Sequence, residues 1–372
     1  MYNFHKKEIS GEKIKNKKMK IKKMMSKILD KIRFRREIKY QREQMKKQVT
    51  EGEIPHDFYL KIKDKTQDLF KMKKGDLNYV FYRYYYNFIG EDCITCLPDY
   101  LFYGYIFQKI SDLSFCKIFD NKNFYSLYFP NVLMPIEIAK VNNGICFDGK
   151  NNHISFEHML MLLRDKTKYI IKPSVGSSCG NNIVILKGEE REKVSDYFSK
   201  FKDFIIQEFI EQSDKMGAFS KQSVNTFRVH SIFHENETTI ISACLRFGKG
   251  DSSLDNLYQD GAFIPIDINE SKFWNFAINN HGNKVLDANG YEFRGKKVDF
   301  LPAIFDVIKK MHPLLSKSKI IAWDFAINKS EEPVLIEFNL GVVGVRILQI
   351  CSKGHPFGKY TEQLYKTFLP MK

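Results

Sequence analysis

No stretch of this 372-residue chain reaches the roughly 18 consecutive apolar residues that a bilayer-spanning helix needs, and the N-terminus lacks the apolar core of a secretory signal. The protein is therefore expected to stay in the cytosol. Cysteine is sparse: seven residues at 93, 96, 116, 146, 179, 244 and 351, an odd and scattered set that argues against a disulfide framework. Cys93 and Cys96 form a CxxC with no second pair, so they read as reduced core cysteines rather than as zinc or redox ligands. There is no internal repeat, and no low-complexity segment beyond one lysine-rich arm. An apolar share of 43% beside 28% charged residues excludes wholesale disorder and supplies ample core.

Acidic residues are scarce at one end. Residues 1–49 hold 18 Lys and Arg against 5 Asp and Glu, a net +13 of the chain's +15, so the remaining 323 residues are nearly neutral. Within that arm Ile21, Met24, Met25, Ile28, Leu29 and Ile32 recur at helical spacing, with basic residues on the other faces. The pattern predicts a basic amphipathic helix. Such a helix suits an anionic membrane surface, nucleic-acid phosphates, or the chain's own body. Membrane or self-docking is preferred, because the body carries no basic and aromatic groove motif to extend a nucleic-acid contact.

From about 58 to 119 the chain is poor in glycine and rich in aromatics, among them Tyr79, Phe81, Tyr82, Tyr84, Tyr85 and Tyr86, which predicts packed helices with aromatic cores. After Pro130 short strands alternate with turn residues at 142–144, 148–149, 235–237 and 289–290. Helical pattern returns over 156–163, 190–201 and 302–315. With no regular βα alternation, the expected class is α+β rather than a doubly wound sheet.

The run YIIKPSVGSSCGNNIVIL, residues 169–186, places a glycine- and serine-rich loop between two apolar runs. It is neither a GxxxxGK[ST] loop nor a GxGxxG turn, since its lysine, Lys172, precedes Gly176 and Gly180 and β-type residues follow. The pattern is strand, loop, strand. A hairpin of this composition brings backbone N–H groups close to phosphates, with Lys172 at its base; a surface hairpin with a solvated lysine remains the alternative. About 35 residues on, the strand IIQEFI carries Gln207 and Glu208 at an apolar end suited to a purine edge.

Two further strands, IIAWDFAI and PVLIEFN, flank the turn Asn328-Lys329-Ser330-Glu331-Glu332. Pairing about that turn sets Asp324 opposite Glu337, with Asn339 on the same face. Two carboxylates that close repel unless a cation intervenes, and hard oxygen ligands with room for phosphate describe Mg²⁺. Arg228 and Arg246 lie inside alternating strand patterns, where a buried cation requires a partner: phosphate, or a structural carboxylate.

In order and spacing these pieces resemble the ATP-grasp superfamily, and within it the sugar-transfer-associated ATP-grasp family of polysaccharide biosynthesis. The resemblance covers roughly 121–348 and rests on Asn121-Lys122 with Phe124, IIKPSVGSSCG, IIQEFI, SVNTFRV, ACLRFG with Asp255-Asn256, and AWDFAI…PVLIEFN. It implies that Lys122 and Lys172 contact ATP phosphates beneath a closing flap containing Ser177, Ser178 and Gly180. Gln207, Glu208 and Ile210 would line the adenine slot, with Asp214 on the ribose. Asp324, Glu337 and Asn339 would hold Mg²⁺, while Arg228, Arg246 and Asn256 would serve catalysis. The family's Asp is displaced in Asp120-Asn121-Lys122, and Ala322 stands where the family has Arg, so which arginine holds the oxyanion stays open.

The implied fold is two α+β subdomains gripping ATP: an N-terminal flap subdomain over 119–205 and a catalytic one over 206–350. A basic arm over 1–50, a helical region over 51–118 and a tail helix over 351–372 would flank them. The implied reaction is ADP-forming ligation of a carboxylate to an amine, with a sugar acid or amino acid as substrate and a lipid-linked glycan as a further partner of a chain resting on the inner membrane face. The rival readings are a sugar kinase on the same fold and a non-catalytic membrane tether.

Overall fold

A computed structural model describes residues 36, 39, 40, 43, 54–70, 79–176, 180–250 and 261–368. The basic helix expected around 21–32, the flap residues Ser177 and Ser178, and Asn256 lie outside that set. The aromatic-rich segment is helical: α1 His56–Phe70 and α2 Tyr79–Ile89 are followed by short turns, then α3 Leu113–Phe119 and α4 Tyr125–Tyr128. Helix α2 buries Phe81, Tyr82, Tyr84, Tyr85 and Phe88, so its aromatics form core as their density predicted. Asp112 caps α3 by accepting from the Ser114 and Phe115 amides at 3.0 and 3.1 Å.

Strands β1 Glu137–Asn142, β2 Ile145–Asp148, β3 His153–Ile154, β4 Tyr169–Pro173, β5 Val184–Leu186 and β6 Phe204–Glu208 form one sheet in the order β3-β2-β1-β6-β4-β5. All its pairs are antiparallel. Ala139, Val141, Tyr169, Ile171, Phe204 and Ile206 share a buried cluster with helices α5 Phe156–Leu163 and α6 Val194–Lys200. By alternation and register, Glu137, Lys140, Lys172 and Gln207 occupy the other face. The run 169–186 is thus strand, loop, strand as read. Strand β6 extends to Glu208, so this sheet ends three residues beyond the division expected after 205.

The second sheet has eight strands: β7 Thr226–His234, β8 Glu237–Phe247, β9 Ala262–Asp267, β10 Lys272–Phe273, β11 Ala277–Asn279, β12 Lys284–Val285, β13 Ile320–Ile327 and β14 Pro333–Asn339. Its order is β12-β11-β9-β8-β7-β13-β14, with β10 beside β9. Between these two sheets the chain forms the short helix α7 Asp214–Gly217. One face packs against α8 Leu301–Met311, whose Leu301, Ile304, Ile308 and Met311 fall on one helical stripe. Cys244, Phe263, Ile278 and Ala322, on the opposite face, join a core with the N-terminal helices, α9 Val345–Cys351 and α10 Thr361–Phe368. The whole is α+β.

Helix α9 fastens the N-terminal helices to the sheet. Fully buried Gln349 accepts from the Leu97 amide at 2.5 Å and donates to the Leu97 carbonyl at 2.8 Å and the Tyr85 hydroxyl at 2.7 Å. Just beyond, Gly354 has φ +82°, and a Cβ there would fall 2.2 Å from the Asp92 carbonyl oxygen, so only glycine permits this approach. The six cysteines among the described residues are all buried and free of disulfides, in keeping with the reduced reading. Burial pushes the Cys93 thiol up to about 12, which leaves it unreactive. Replacing Gln349 with Leu strands a buried amide and carbonyl; the expected loss is about 2–4 kcal/mol of unfolding free energy at an unchanged denaturant slope, measured by urea titration.

Candidate active site

The hairpin β13–β14 pairs Asp324 with Glu337, and alternation puts Asn339 on the same face, as its turn symmetry predicted. The structure differs over what separates the two carboxylates. Arg228, opposite Asp324 on β7, donates from Nε and Nη2 to the two Asp324 oxygens at 2.9 and 2.6 Å. Arg246 Nη1 lies 3.9 Å from Asp324 Oδ1 while its Nε donates to the Thr226 hydroxyl, and Lys122 Nζ lies 3.7 Å from Glu337 Oε2. The chain thus supplies its own cations, and repulsion does not by itself demand a metal. Burial alone would push the Asp324 carboxyl up; Arg228 and then Arg246 more than offset it, and the group stays below the usual carboxylate range.

Facing these residues is the polar side of the first sheet. Lys122 opens a one-turn helix capped by Asn121, and its amide donates to the Ser174 carbonyl at 2.8 Å, which joins that turn to the end of β4. Lys140, buried on β1, donates to the Asn123 carbonyl at 2.8 Å and to Glu137 Oε2 at 2.9 Å. Lys172 is 5% exposed, and none of the salt bridges or hydrogen bonds among the described residues engages its ammonium. Burial first, then the neighbouring charge of Lys122, push it from the ordinary lysine value of 10.5 down to about 8. Gln207 Oε1 and Ser174 Oγ are buried without a hydrogen-bond partner among the described residues. Such a set of unsatisfied polar groups is costly in an empty cleft and is the mark of a ligand site.

The remaining expected residues are spread more widely. Gly180 has φ +73° and Gly176 φ +67°, conformations that suit a tight loop between β4 and β5. Glu208 turns to Lys166 at 2.6 Å, and Ile210 is half-buried in the connection between the sheets. Asp214 begins α7 at the surface, and no polar contact among the described residues joins it to the cluster. Sequence reasoning missed Glu137, Lys140, Tyr103 and His230. His230 is fully buried, with Nε2 2.8 Å from the Val343 carbonyl and Nδ1 2.8 Å from the Ser242 hydroxyl. Since a carbonyl only accepts, Nε2 carries the proton. Burial and Arg228 push this imidazole down to about 3, so it stays neutral and holds the loop before α9. The Tyr103 hydroxyl accepts from the Gly344 and Val345 amides at 3.1 and 3.2 Å, where Gly344 has φ +73° beside Arg228. The lysine within the alternating run EIAKVN was the one legible signal among these.

The Lys172 charge costs the folded protein stability. At pH 7 the group is protonated both folded and unfolded, and its 10.5-to-8 displacement corresponds to a penalty on the order of 3 kcal/mol. Between pH 8 and 10.5 the unfolded chain binds more protons than the folded one, so stability rises and the penalty fades. Lys172→Met is expected to raise the Tm of the nucleotide-free protein at pH 7, with the gain shrinking across that alkaline window, and to weaken ATP binding. Thermal scans across pH check the first effect and calorimetric titration of nucleotide the second.

No curated protein matches the chain. Among solved structures it is similar to an L-amino acid ligase from Bacillus licheniformis, at 12% identity over 67% of this chain and 48% of that one with a TM-score of 0.41. It is also similar to D-alanyl-alanine synthetase A from Vibrio cholerae O1 biovar eltor, at 10% identity over 68% and 65% with a TM-score of 0.42. A D-alanine–D-alanine ligase from Bacillus anthracis aligns at 14% identity over 69% and 71% with a TM-score of 0.39. The chain thus spans about half the length of the first of these ligases. The family described as sugar-transfer associated ATP-grasp matches residues 105–360, well over half of the 372, and joins the two sheets, the lysines between them and the β13–β14 hairpin in one stretch. The chain belongs to the sugar-transfer-associated ATP-grasp family.

Proposed function

We propose that the protein is an ATP-dependent, ADP-forming ligase that joins a carboxylate to an amine. The observation that carries this reading is the buried ammonium of Lys172 beside Lys122, which no hydrogen bond or salt bridge among the described residues engages, facing a sheet that bears Asp324, Glu337 and Asn339. An anionic triphosphate supplies the missing counter-charge. In the reaction, a carboxylate oxygen attacks the γ-phosphorus, the bond to ADP breaks, and the resulting acylphosphate is attacked by an amine that loses a proton as phosphate leaves. Lys122 and Lys172 spread the charge of the phosphates, and Arg228 and Arg246 hold the oxyanion that develops at the acyl carbon. The glycine loop between β4 and β5, with Ser177, Ser178 and Gly180, covers the phosphates and excludes water. Gln207, Glu208 and Ile210 line the purine slot, while Asp214 on the ribose and Asn256 as a further catalytic residue complete the assignment.

The donor set also suits a hard cation. Among the described residues no three His, Cys, Asp or Glu side chains gather as a metal cluster, but Asp324 and Glu337 offer carboxylate oxygens and Asn339 directs its Nδ2 to Asp324 at 3.3 Å, which leaves its amide oxygen for a ligand. These three would hold Mg²⁺, which when bound neutralises phosphate charge. Asp324→Asn and Glu337→Gln are each expected to lower Mg²⁺-dependent ATP affinity at least tenfold and to abolish turnover. With wild-type protein, phosphate release from ATP in the presence of sugar acids or amino acids should depend on an added amine; a stable phosphorylated product without amine identifies a kinase instead, and ATP affinity unmoved by both substitutions overturns the metal assignment.

For substrate, the family's association with sugar transfer favours a sugar acid or an amino acid attached to a glycan of the capsule or O-antigen type, including a lipid-linked precursor. None of the described helices is long and apolar enough to cross a membrane. The +13 arm over 1–49 would instead rest on the anionic inner leaflet, at about 1 kcal/mol per basic residue near the lipid. Deleting residues 1–49 should cut co-sedimentation with phosphatidylserine vesicles several-fold and leave ATP affinity intact; undiminished sedimentation removes the arm from this role.

A further inference from the structure

Away from the lysines and the carboxylate hairpin, a groove of about 530 Å³ opens between the N-terminal helices and the far edge of the second sheet. Phe88 and Asp92 line one wall, Asp267, Trp274 and Phe276 the other, and Lys353 stands at the end of α9. Its volume falls within the roughly 300–1,000 Å³ typical of small-ligand sites. It lies on the same side of the sheet as Arg228 and Asp324, because Asp267 follows Phe263 and Pro265 at alternate positions on β9, and these pair with Arg246 and Cys244 on β8. Helix α9 begins where Gly344 abuts Arg228 and ends two residues before Lys353, so about 10 Å of helix separates groove from active site.

The chemistry of the lining narrows the occupant. Trp274 and Phe276 stand edge to face at 5.8 Å and remain partly exposed, which offers apolar ring surface beside polar groups. Lys353 Nζ lies 5.8 Å from the Trp274 ring centre and Lys284 Nζ 4.6 Å from that of Phe276, whose ring also stacks on Phe88 at 6.5 Å, so these ammoniums repel an organic cation and Trp274 keeps the freer ring. The charges nearly balance, since Asp92, Asp267 and Glu270 face Lys272 and Lys353, with Glu270 paired to Lys272 at 2.9 Å. Asp267 uses Oδ1 on the Asn269 and Glu270 amides, while the exposed side chains of Asp92 and Asn275 border the groove. The Trp274 ring for C–H surfaces, bordered by carboxylate and amide acceptors for hydroxyl protons and with little net charge, fits an uncharged polyol with apolar ring faces.

We propose that this groove binds a short uncharged oligosaccharide, as a subsite for glycan units remote from the reacting carboxylate. The class of ligand accords with the sugar-transfer reading above, but the binding itself needs neither ATP nor turnover. Remote contacts of this kind lend binding energy to the reaction at the far end of α9.

The chain holds two tryptophans, and Trp323 is fully buried with its Nε1 donating to Ser231 Oγ, so a saccharide-dependent change in tryptophan fluorescence reports on Trp274. Full-length protein titrated with maltotriose, xylotriose and triacetylchitotriose should give a saturable change with at least one of them. Asp92→Asn and Phe276→Leu should each weaken that saccharide at least tenfold while leaving ATP·Mg²⁺ affinity unchanged. No saturable response to any of the three, or a response that survives both substitutions, overturns the proposal. Saccharide binding in a protein that fails to bind ATP would sustain the groove and sink the ligase reading, whereas the reverse result would sink the groove alone.

Discussion

Asp324 sits on β13, one strand in from the edge of an eight-stranded antiparallel sheet, 4% exposed, and a lone carboxylate there would not stay ionised. Arg228 makes that position tenable. Because β7 and β13 run antiparallel with Asp324 opposite Arg228, the guanidinium meets both carboxylate oxygens in a forked pair. Arg246 reinforces it from β8, neutral His230 keeps the loop beyond β14 in place, and Lys122 reaches Glu337 from the opposing turn. Every other feature of the candidate site is arranged about this pairing.

The two sheets carry unequal electrostatic arrangements. On the second, charges are matched across neighbouring strands. On the first, Lys140 is satisfied by Glu137 and the Asn123 carbonyl, but among the described residues no hydrogen bond or salt bridge engages Lys172 and none reaches the Gln207 and Ser174 side-chain oxygens. A buried ammonium pushed down to about 8 is a destabilised group. Such a charge costs the folded state stability, a trade common where function overrides packing.

The N-terminal helices do more than enlarge the core. Through Gln349 they clamp α9, and through Tyr103 they hold the amides at its start, so the loop between Asn339 and Val345 is fixed from both sides. The same helices form one wall of the aromatic groove at the other end of α9. One seven-residue helix therefore joins the candidate site to that groove.

Alternation and turn residues made several elements readable in the sequence: the β4-loop-β5 hairpin, helix Phe156–Leu163, and the Asp324–Glu337 pairing about the turn at 328–332. These depend on residues close along the chain, whose side-chain directions follow from backbone periodicity. Arg228 is 96 residues from Asp324, and Gln349 is 252 from Leu97. Likewise, Glu137 and Lys140 gain meaning only from a register that includes a bulge in β1. By itself the sequence determined the α+β class, the family and the identity of the carboxylate and lysine pairs. Only the tertiary structure decided which cation answers which carboxylate and which lysine lacks a partner among the described residues, because burial and charge pairing are set by neighbours in space.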